Sequence, residues 1–292
     1  MPNGSERKQE QEVLDKALFD AFCGEPEDVV KALAAGASVN AVEGGLDERS
    51  AFFVLVERLL VPGYNPADAK MALLDEKVAA FTEALLRGGY NPNIEGQGLM
   101  CEPYEMERPL HIAVELNCHK TVEVLLAAGA DPMAKSRGET AAFFLNPQHL
   151  GPWSSQAFVL CARALAATGV DFDAIGSFGT TTLAEACAFS NVDAVEELTR
   201  LGASPFIRNS GGQTALHIVG LSRAGEPGES MRCALALLAA GADAQALDDQ
   251  GAAPAQTAEM GARGAIVAFI EKEALDSSSA ATEKARGLSP RL

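Results

Sequence analysis

A short glycine-centred turn recurs six times along this 292-residue chain, each time at the end of an apolar run. Two residues after each glycine comes Ser, Asn or Asp, and the glycines are Gly36, Gly89, Gly129, Gly169, Gly202 and Gly241. The intervals between them are 53, 40, 40, 33 and 39 residues, which is a base period of 33 with insertions of 20, 7, 7 and 6. Such a period is typical of a stacked-repeat protein, in which each repeat buries its apolar face against its neighbours.

The clearest repeat predicts two helices joined by a tight turn. Pro109 suits the first turn of a helix, where its missing N–H costs nothing. A polar break at 117–120 separates this helix from a second one, in which Val122 and Leu125 lie on one apolar face. Gly129 is placed to end the second helix in a left-handed conformation. Each repeat is therefore predicted to be helix, turn, helix, glycine stop and extended connection.

The first helix of two repeats carries a sequence signature. Residues 108–113 read Arg-Pro-Leu-His-Ile-Ala and residues 214–219 read Thr-Ala-Leu-His-Ile-Val, with weaker copies starting at 140, 181 and 253. These segments resemble the ankyrin repeat, whose signature is Thr-Pro-Leu-His-x-Ala. The resemblance covers roughly residues 14–275. It implies an all-α ankyrin-repeat solenoid of helix-turn-helix units with short hairpin-like finger loops.

The period predicts seven repeats within one ankyrin-repeat domain, residues 14–275, of which the first and last are caps. Their expected bounds are 14–45, 46–95, 96–137, 138–177, 178–210, 211–248 and 249–275. The second is ambiguous because residues 62–66 echo residues 88–92, as if a further repeat ended there. We favour a single repeat with a helix from Ser50 to Leu60 followed by a long insertion. Residues 1–11 and 277–292 are polar and are expected to be disordered.

The charge of the chain argues against a nucleic-acid partner. The 40 acidic residues outnumber 23 basic ones, which gives a formal net charge of −17. Proteins that bind DNA or RNA gain much of their affinity by neutralising phosphates with Lys and Arg. We therefore expect no nucleic-acid binding, and the acidic surface is interpreted chiefly as a means of keeping the protein soluble.

Cysteine usage and hydropathy predict a soluble, cytoplasmic monomer. The six cysteines are widely spread, and Cys161 and Cys233 both stand eight residues before a repeat glycine, which indicates packing residues kept reduced in the cytosol. The N-terminal residues show no signal peptide, and no apolar run approaches the roughly 20 residues of a membrane helix. We expect no contact with a membrane.

The four histidines do not predict catalysis. By resemblance to the ankyrin repeat, His111 and His217 bond to groups around the start of the first helix, and His119 occupies the turn between helices. His149 falls in a loop, and no Ser/His/Asp set or pair of metal-binding histidines is present. The sequence therefore predicts no enzyme, no cofactor and no metal.

Ankyrin repeats generally bind proteins through their fingers and first helices, which line a concave face. Several finger positions that are usually polar are apolar in this chain, and these candidate partner-binding residues are Met133, Ile175, Phe178 and Phe206, bordered by Lys135, Arg137 and Arg208. Pro132, Phe172 and Pro205 match inward-packing positions and are left out. Exposed apolar strips mark protein contacts. The alternative is that these side chains fold against adjoining hairpins and stabilise the stack.

Insertions between helices give a second signal. Three of them, 61–75, 146–155 and 221–230, interrupt the second, fourth and sixth repeats, and a fourth, 97–107, lengthens a finger. Long loops in compact repeats often carry function. The only tryptophan, Trp153, lies in one of them and is included among the candidate partner-binding residues, although it could equally plug the end of a helix pair.

The sequence thus predicts a non-enzymatic module that binds another protein through its concave finger and inner-helix face. The alternative is an inhibitor or immunity-type protein that blocks a basic active site or binding cleft of a partner enzyme. Strong dependence of partner affinity on ionic strength would favour the second interpretation, and weak dependence would favour the apolar strip.

Overall fold

The computed structural model describes residues 4–40, 42–43, 49–59, 70–97, 106–145, 152–176, 179–219, 221, 228–258, 260 and 262–272. The chain divides into two compact bodies, an N-terminal body of residues 1–174 and a C-terminal body of residues 175–292. The predicted tail at 277–292 lies outside the described residues, and the bounds of the seven repeats stay a prediction.

The N-terminal body consists of paired helices and two short β-hairpins. Its elements are α1 (Gly4–Ala21), α2 (Pro26–Ala34), β1 (Val42–Glu43), β2 (Arg49–Ser50), α3 (Ala51–Leu59), α4 (Lys70–Arg87), β3 (Gly96–Gln97), β4 (Met106–Glu107), α5 (Pro109–Glu115), α6 (His119–Ala127), a 3-10 helix (Ala141–Phe144) and α7 (Pro152–Ala166). Helices pair as α1 with α2, α3 with α4 and α5 with α6, and α4, α6 and α7 pack in succession. β1 pairs with β2 and β3 with β4, both antiparallel.

The C-terminal body repeats the same scheme. Its elements are α8 (Thr182–Ala188), α9 (Val192–Arg200), a 3-10 helix (Ala215–His217), α10 (Glu229–Ala239), α11 (Pro254–Thr257) and a last helix, α12, at residues 262–272. α8 packs on α9 and on the 3-10 helix, and α9 packs on α10.

The repeat glycines end their helices as predicted. All six have positive φ, from 79° at Gly169 to 105° at Gly36, a region that residues with a Cβ rarely adopt. At the end of α6 the amide of Gly129 donates to the carbonyl of Leu126, and Ala130 donates to Leu125 at 2.9 Å. These two bonds satisfy carbonyls that the helix end would leave without a partner. The local chemistry of these turns was therefore readable from the sequence.

The core is assembled from the apolar face of each helix. α3 is buried along most of its length, since Ala51 to Val56 are all inaccessible to solvent. Cys161 and Cys233 are buried as expected, together with Cys118 and Cys187, and burial raises the pKa of all four thiols. No helix among the described residues is long and apolar enough to cross a membrane.

Two expectations about helix length need correction. Residues 1–11 were expected to be disordered, whereas α1 begins at Gly4, because this stretch is rich in the helix formers Glu, Gln, Arg and Lys. Gln11 then fixes α1 to the next turn by donating to the carbonyl of Gly36 at 3.1 Å. The second correction concerns the first helices of the fourth and sixth repeats, which are single 3-10 turns at Ala141–Phe144 and Ala215–His217.

Helix starts also shorten the expected insertions. α4 begins at Lys70, α7 at Pro152 and α10 at Glu229, so each predicted insertion loses its last residues to the following helix. The base of the predicted finger insertion at 97–107 is the β3–β4 hairpin, in which Gly96 opposes Glu107 and Gln97 opposes Met106.

Candidate functional site

The histidines of the repeat signature are structural. His217 is fully buried, and its Nδ1 lies 3.1 Å from the amide nitrogen and 2.9 Å from the hydroxyl of Thr214, while Nε2 lies 3.2 Å from the carbonyl of Ala252. His111 is also fully buried, and its ring meets Phe144 edge to face at 4.9 Å between centroids. Burial lowers the pKa of His111 to about 4, so the ring is neutral at physiological pH. His149 lies outside the described residues.

His119 belongs to a different structural contact. Its Nδ1 lies 3.2 Å from a carboxylate oxygen of Asp75, which is buried in α4. The same carboxylate accepts bonds from the amides of Lys120 and Thr121 at 2.9 and 3.1 Å, and from the Thr121 hydroxyl at 2.9 Å. Asp75 therefore caps the N-terminus of α6 from the preceding helix pair, where a negative charge is favoured.

The third finger, residues 130–139, is held by side chains of the preceding finger. Asn93 accepts from the amide of Asp131 at 2.7 Å and donates to the carbonyl of Gly129 at 2.9 Å. Asp131 in turn accepts from the amide of Met133 at 2.9 Å. The main chain at Met133 is thus fixed, while its side chain is 51% exposed. Fixed backbone with an exposed apolar side chain is the arrangement of a preorganised contact.

Arg137 makes ion pairs and an aromatic contact within the N-terminal body. Its guanidinium lies 3.3 Å from Glu107, 3.2 Å from Glu115 and 4.5 Å above the Phe144 ring. Burial raises the pKa of Glu115, and Arg137 opposes that shift. That Arg137 borders a strip of partner contacts stays a prediction, and its charge is shared with two carboxylates and an aromatic face.

The C-terminal body carries the remaining finger residues. Ile175 and Phe206 are 58% and 57% exposed, so both side chains stand out from the turns that carry them. Arg208 donates to the carbonyl of Leu247 at 2.6 Å and lies 3.7 Å from a carboxylate oxygen of Asp249. Arg208 thereby links the fifth finger, residues 203–213, to the sixth, residues 242–252.

The residues left out of the candidate set pack inward in large part. Phe172 and Pro205 are buried, and Pro132 is half-buried. Phe178 lies outside the described residues. Trp153 is the second residue of α7, and the placement of its side chain is outside the described part of the chain. That Met133, Ile175, Phe178 and Phe206 form one strip stays a prediction.

The sequence reasoning missed Leu247. This residue is 55% exposed on the sixth finger, six residues after Gly241. Ile175 stands six residues after Gly169, so the two occupy the same position in their repeats. Comparison of finger positions across repeats was therefore the signal that could have found Leu247.

No metal-binding cluster emerges from the described residues. Within them, no group of three or more His, Cys, Asp or Glu residues is placed to hold a metal ion. What the fingers offer is a set of fixed turns that carry exposed apolar side chains.

Comparison with known proteins agrees with this geometry. The model of the ankyrin repeat family matches residues 107–137, the segment that contains α5, α6 and the third finger. The ankyrin repeat domain of human ASB11 superposes with a TM-score of 0.60 at 21% identity, covering 87% of this chain and 96% of that domain. Residues 107–137 are an ankyrin repeat, and the chain shares the fold of an ankyrin repeat domain. The predicted fold class, an all-α ankyrin-repeat solenoid, is confirmed.

The chain is also similar to the mouse ankyrin repeat and SOCS box protein 16, which is 37% identical over 109 residues. The match covers 37% of this chain and 24% of the relative, so the chain aligns with about a quarter of that protein's length. Ankyrin-repeat proteins generally mediate protein–protein interaction, and the family is generally a non-enzymatic interaction module.

Proposed function

We propose that this chain binds a partner protein through its fingers and inner helices, with Met133, Ile175 and Phe206 as apolar anchors. The observation that carries the proposal is their exposure, since each side chain is more than half accessible on a turn fixed by hydrogen bonds. A few anchors of this kind supply most of the affinity of a protein interface. Phe178, Arg208 and Trp153 complete the proposed contact set.

The proposal includes the setting in which the protein works. It acts as a cytoplasmic monomer that binds neither nucleic acid nor membranes. The net charge of −17 supports this, because it repels phosphates and a second copy of the chain alike. Four buried free cysteines that serve as packing residues support a reducing compartment.

The proposal is tested by affinity capture from the native cell lysate. The bait is the full chain, either unchanged or with Met133→Ala, Ile175→Ala and Phe206→Ala combined. The control bait carries Met231→Ala and Leu235→Ala, which truncate side chains of α10 that are 43% and 48% exposed. α10 is the second helix of its repeat, and we call such second helices the outer helices and the first helices the inner ones. We expect the finger variant to lose at least about tenfold in affinity for the captured protein, and the control to lose less than about twofold.

Two results would contradict the proposal. One is a finger variant that retains folding and full partner affinity, and the other is a loss confined to the α10 control. The salt dependence of the partner affinity also distinguishes the two predicted modes of binding, which are apolar anchoring and inhibition through a basic cleft. A steep fall with salt favours the inhibitor that engages a basic cleft, and a shallow one favours apolar anchoring.

A further inference from the structure

Hydrogen bonds join the fifth finger to the sixth. Besides the bond from Arg208 to the carbonyl of Leu247, the amide of Asp249 donates to the carbonyl of Gly211 at 3.1 Å. Asn209 closes the fifth finger by accepting from the amides of Gly211 and Gln213 at 2.9 Å each. Backbone held in this way loses little conformational entropy when a partner binds.

Three large apolar side chains are exposed on the fourth, fifth and sixth fingers of the C-terminal body. We call Ile175, Phe206 and Leu247 the finger patch, and each is more than half exposed. The tip of the Phe206 ring reaches the turn after α10, since a Cβ placed on Gly241 would lie 3.9 Å from its Cζ. In the free protein these apolar side chains are in contact with water, which is unfavourable. A partner that buries them removes this apolar surface from water and thereby gains binding free energy.

The charges around the finger patch are predominantly negative. The fifth and sixth fingers contain the carboxylates of Asp243, Asp248 and Asp249 and a single basic residue, Arg208. Asp243 and Asp249 are exposed, while Arg208 is directed to the Leu247 carbonyl and to Asp249. Elsewhere in this body, Arg200 and Arg232 lie against Glu197 and Glu196 on the outer helices. A partner at the finger patch therefore meets a net negative charge, because three carboxylates outnumber one arginine.

We propose that the finger patch binds a protein segment that combines large apolar side chains with Lys or Arg. The apolar side chains cover Phe206, Leu247 and Ile175, and the basic groups pair with Asp243 and Asp249. Complementary charge of this kind selects partners and speeds association more than it adds affinity. The inference rests on the proposed function and names the chemistry of the partner segment for the C-terminal body.

The probe is a phage-displayed library of random peptides selected on the full chain. We expect the selected peptides to carry at least two large apolar residues and a net positive charge. Their affinity, measured by fluorescence anisotropy, should fall at least about tenfold with Phe206→Ala plus Leu247→Ala. The matched control, Met231→Ala plus Leu235→Ala on α10, should change it by less than about twofold.

A second pair of variants tests the charge. Asp243→Asn plus Asp249→Asn keeps the size of both side chains. It should lower the affinity for the peptides by about threefold at low salt and hardly at all at high salt. Circular dichroism checks that every variant folds.

Three results would overturn the inference. The selected peptides could be neutral or acidic, their affinity could be unchanged by Phe206→Ala plus Leu247→Ala, or the library could yield no binding peptide. The proposed function fails separately, when the protein captured from lysate binds the finger variant undiminished. Acidic peptides that need Phe206 and Leu247 would therefore remove the inference and leave the proposed function in place.

Discussion

The third repeat, 96–137, and the sixth, 211–248, share the Leu-His-Ile core of the signature but differ in the segment after it. In the third, α5 runs from Pro109 to Glu115, and a turn at Asn117, with φ of 53°, leads at once into α6. In the sixth, a 3-10 turn at Ala215–His217 precedes an insertion, and α10 begins only at Glu229. Insertion between the helices thus accompanies a shortened inner helix, while the glycine turn at the repeat end is kept.

The starts of the second helices differ as well. Asp75 caps α6 from the preceding helix pair, while the N-cap of α10 is Gly228, which has no side chain to accept a bond. The second helix of the uninterrupted repeat is therefore capped by a side chain of the preceding helix pair, whereas the N-cap residue of α10 is a glycine. Variants of either repeat test this difference.

The largest expected effect comes from the buried cap. Asp75→Ala leaves the amides of Lys120 and Thr121 and the Thr121 hydroxyl without their acceptor, so we expect the free energy of unfolding to fall by about 3 kcal/mol. Asp75→Asn keeps one acceptor oxygen, so it should lower the free energy of unfolding by about half as much. Urea unfolding of the full chain measures both. A loss below about 1 kcal/mol for Asp75→Ala would show that water replaces the cap.

The second effect is a pH dependence centred on His111. Burial holds its pKa at about 4 in the folded chain, against an ordinary value of 6.5. Between these values the unfolded chain binds a proton that the folded chain does not, so stability is complete above pH 6.5 and is lost as the pH falls towards 4. The loss attributable to His111 is about 3 kcal/mol.

Comparison of wild type with His111→Gln over this pH range isolates that contribution, since glutamine does not titrate. His217 is the matched variant in the sixth repeat. Burial also lowers its pKa, but backbone carbonyls and Asp248 favour its protonated form, so His217→Gln should flatten the pH profile less. An unchanged acid slope in His111→Gln would contradict the burial argument.

The smallest expected effect is a gain in stability at α10, whose N-cap residue is a glycine. Gly228 is exposed, and a Cβ placed there meets nothing within 4 Å. Gly228→Asp should therefore stabilise the chain over Gly228→Ala by about 0.5 kcal/mol, because a negative charge is favoured at the N-terminus of a helix. Thermal unfolding compares the two variants. Equal stability would indicate that the insertion already satisfies this helix end.

Local features of the fold could be predicted from the sequence, and distant ones could not. The repeat glycines were readable because a helix stop depends on a few adjacent residues, as at Gly129. The cap from Asp75 to Thr121 was not, because it joins residues 46 positions apart and no pattern marks the acceptor. The start of α1 at Gly4 was missed because a polar composition was interpreted as disorder, although the same residues are strong helix formers.

The candidate site shows the same division. Met133, Ile175 and Phe206 were chosen because they are apolar where fingers are usually polar, and that information is local. The engagement of Arg137 by Glu107, Glu115 and Phe144 could not be read from the sequence, since it depends on how the third finger folds over the inner helices. The sequence alone therefore does not identify which acidic groups neutralise a given arginine.

Amide hydrogen exchange of the full chain, with and without the partner captured from lysate, tests the central claim most directly. If the fingers bind the partner, amides in residues 203–213 and 242–252 should exchange more slowly in the complex, and those of the outer helices α9 and α10 should be unchanged. Protection confined to α9 and α10, with the fingers unaffected, would contradict the account.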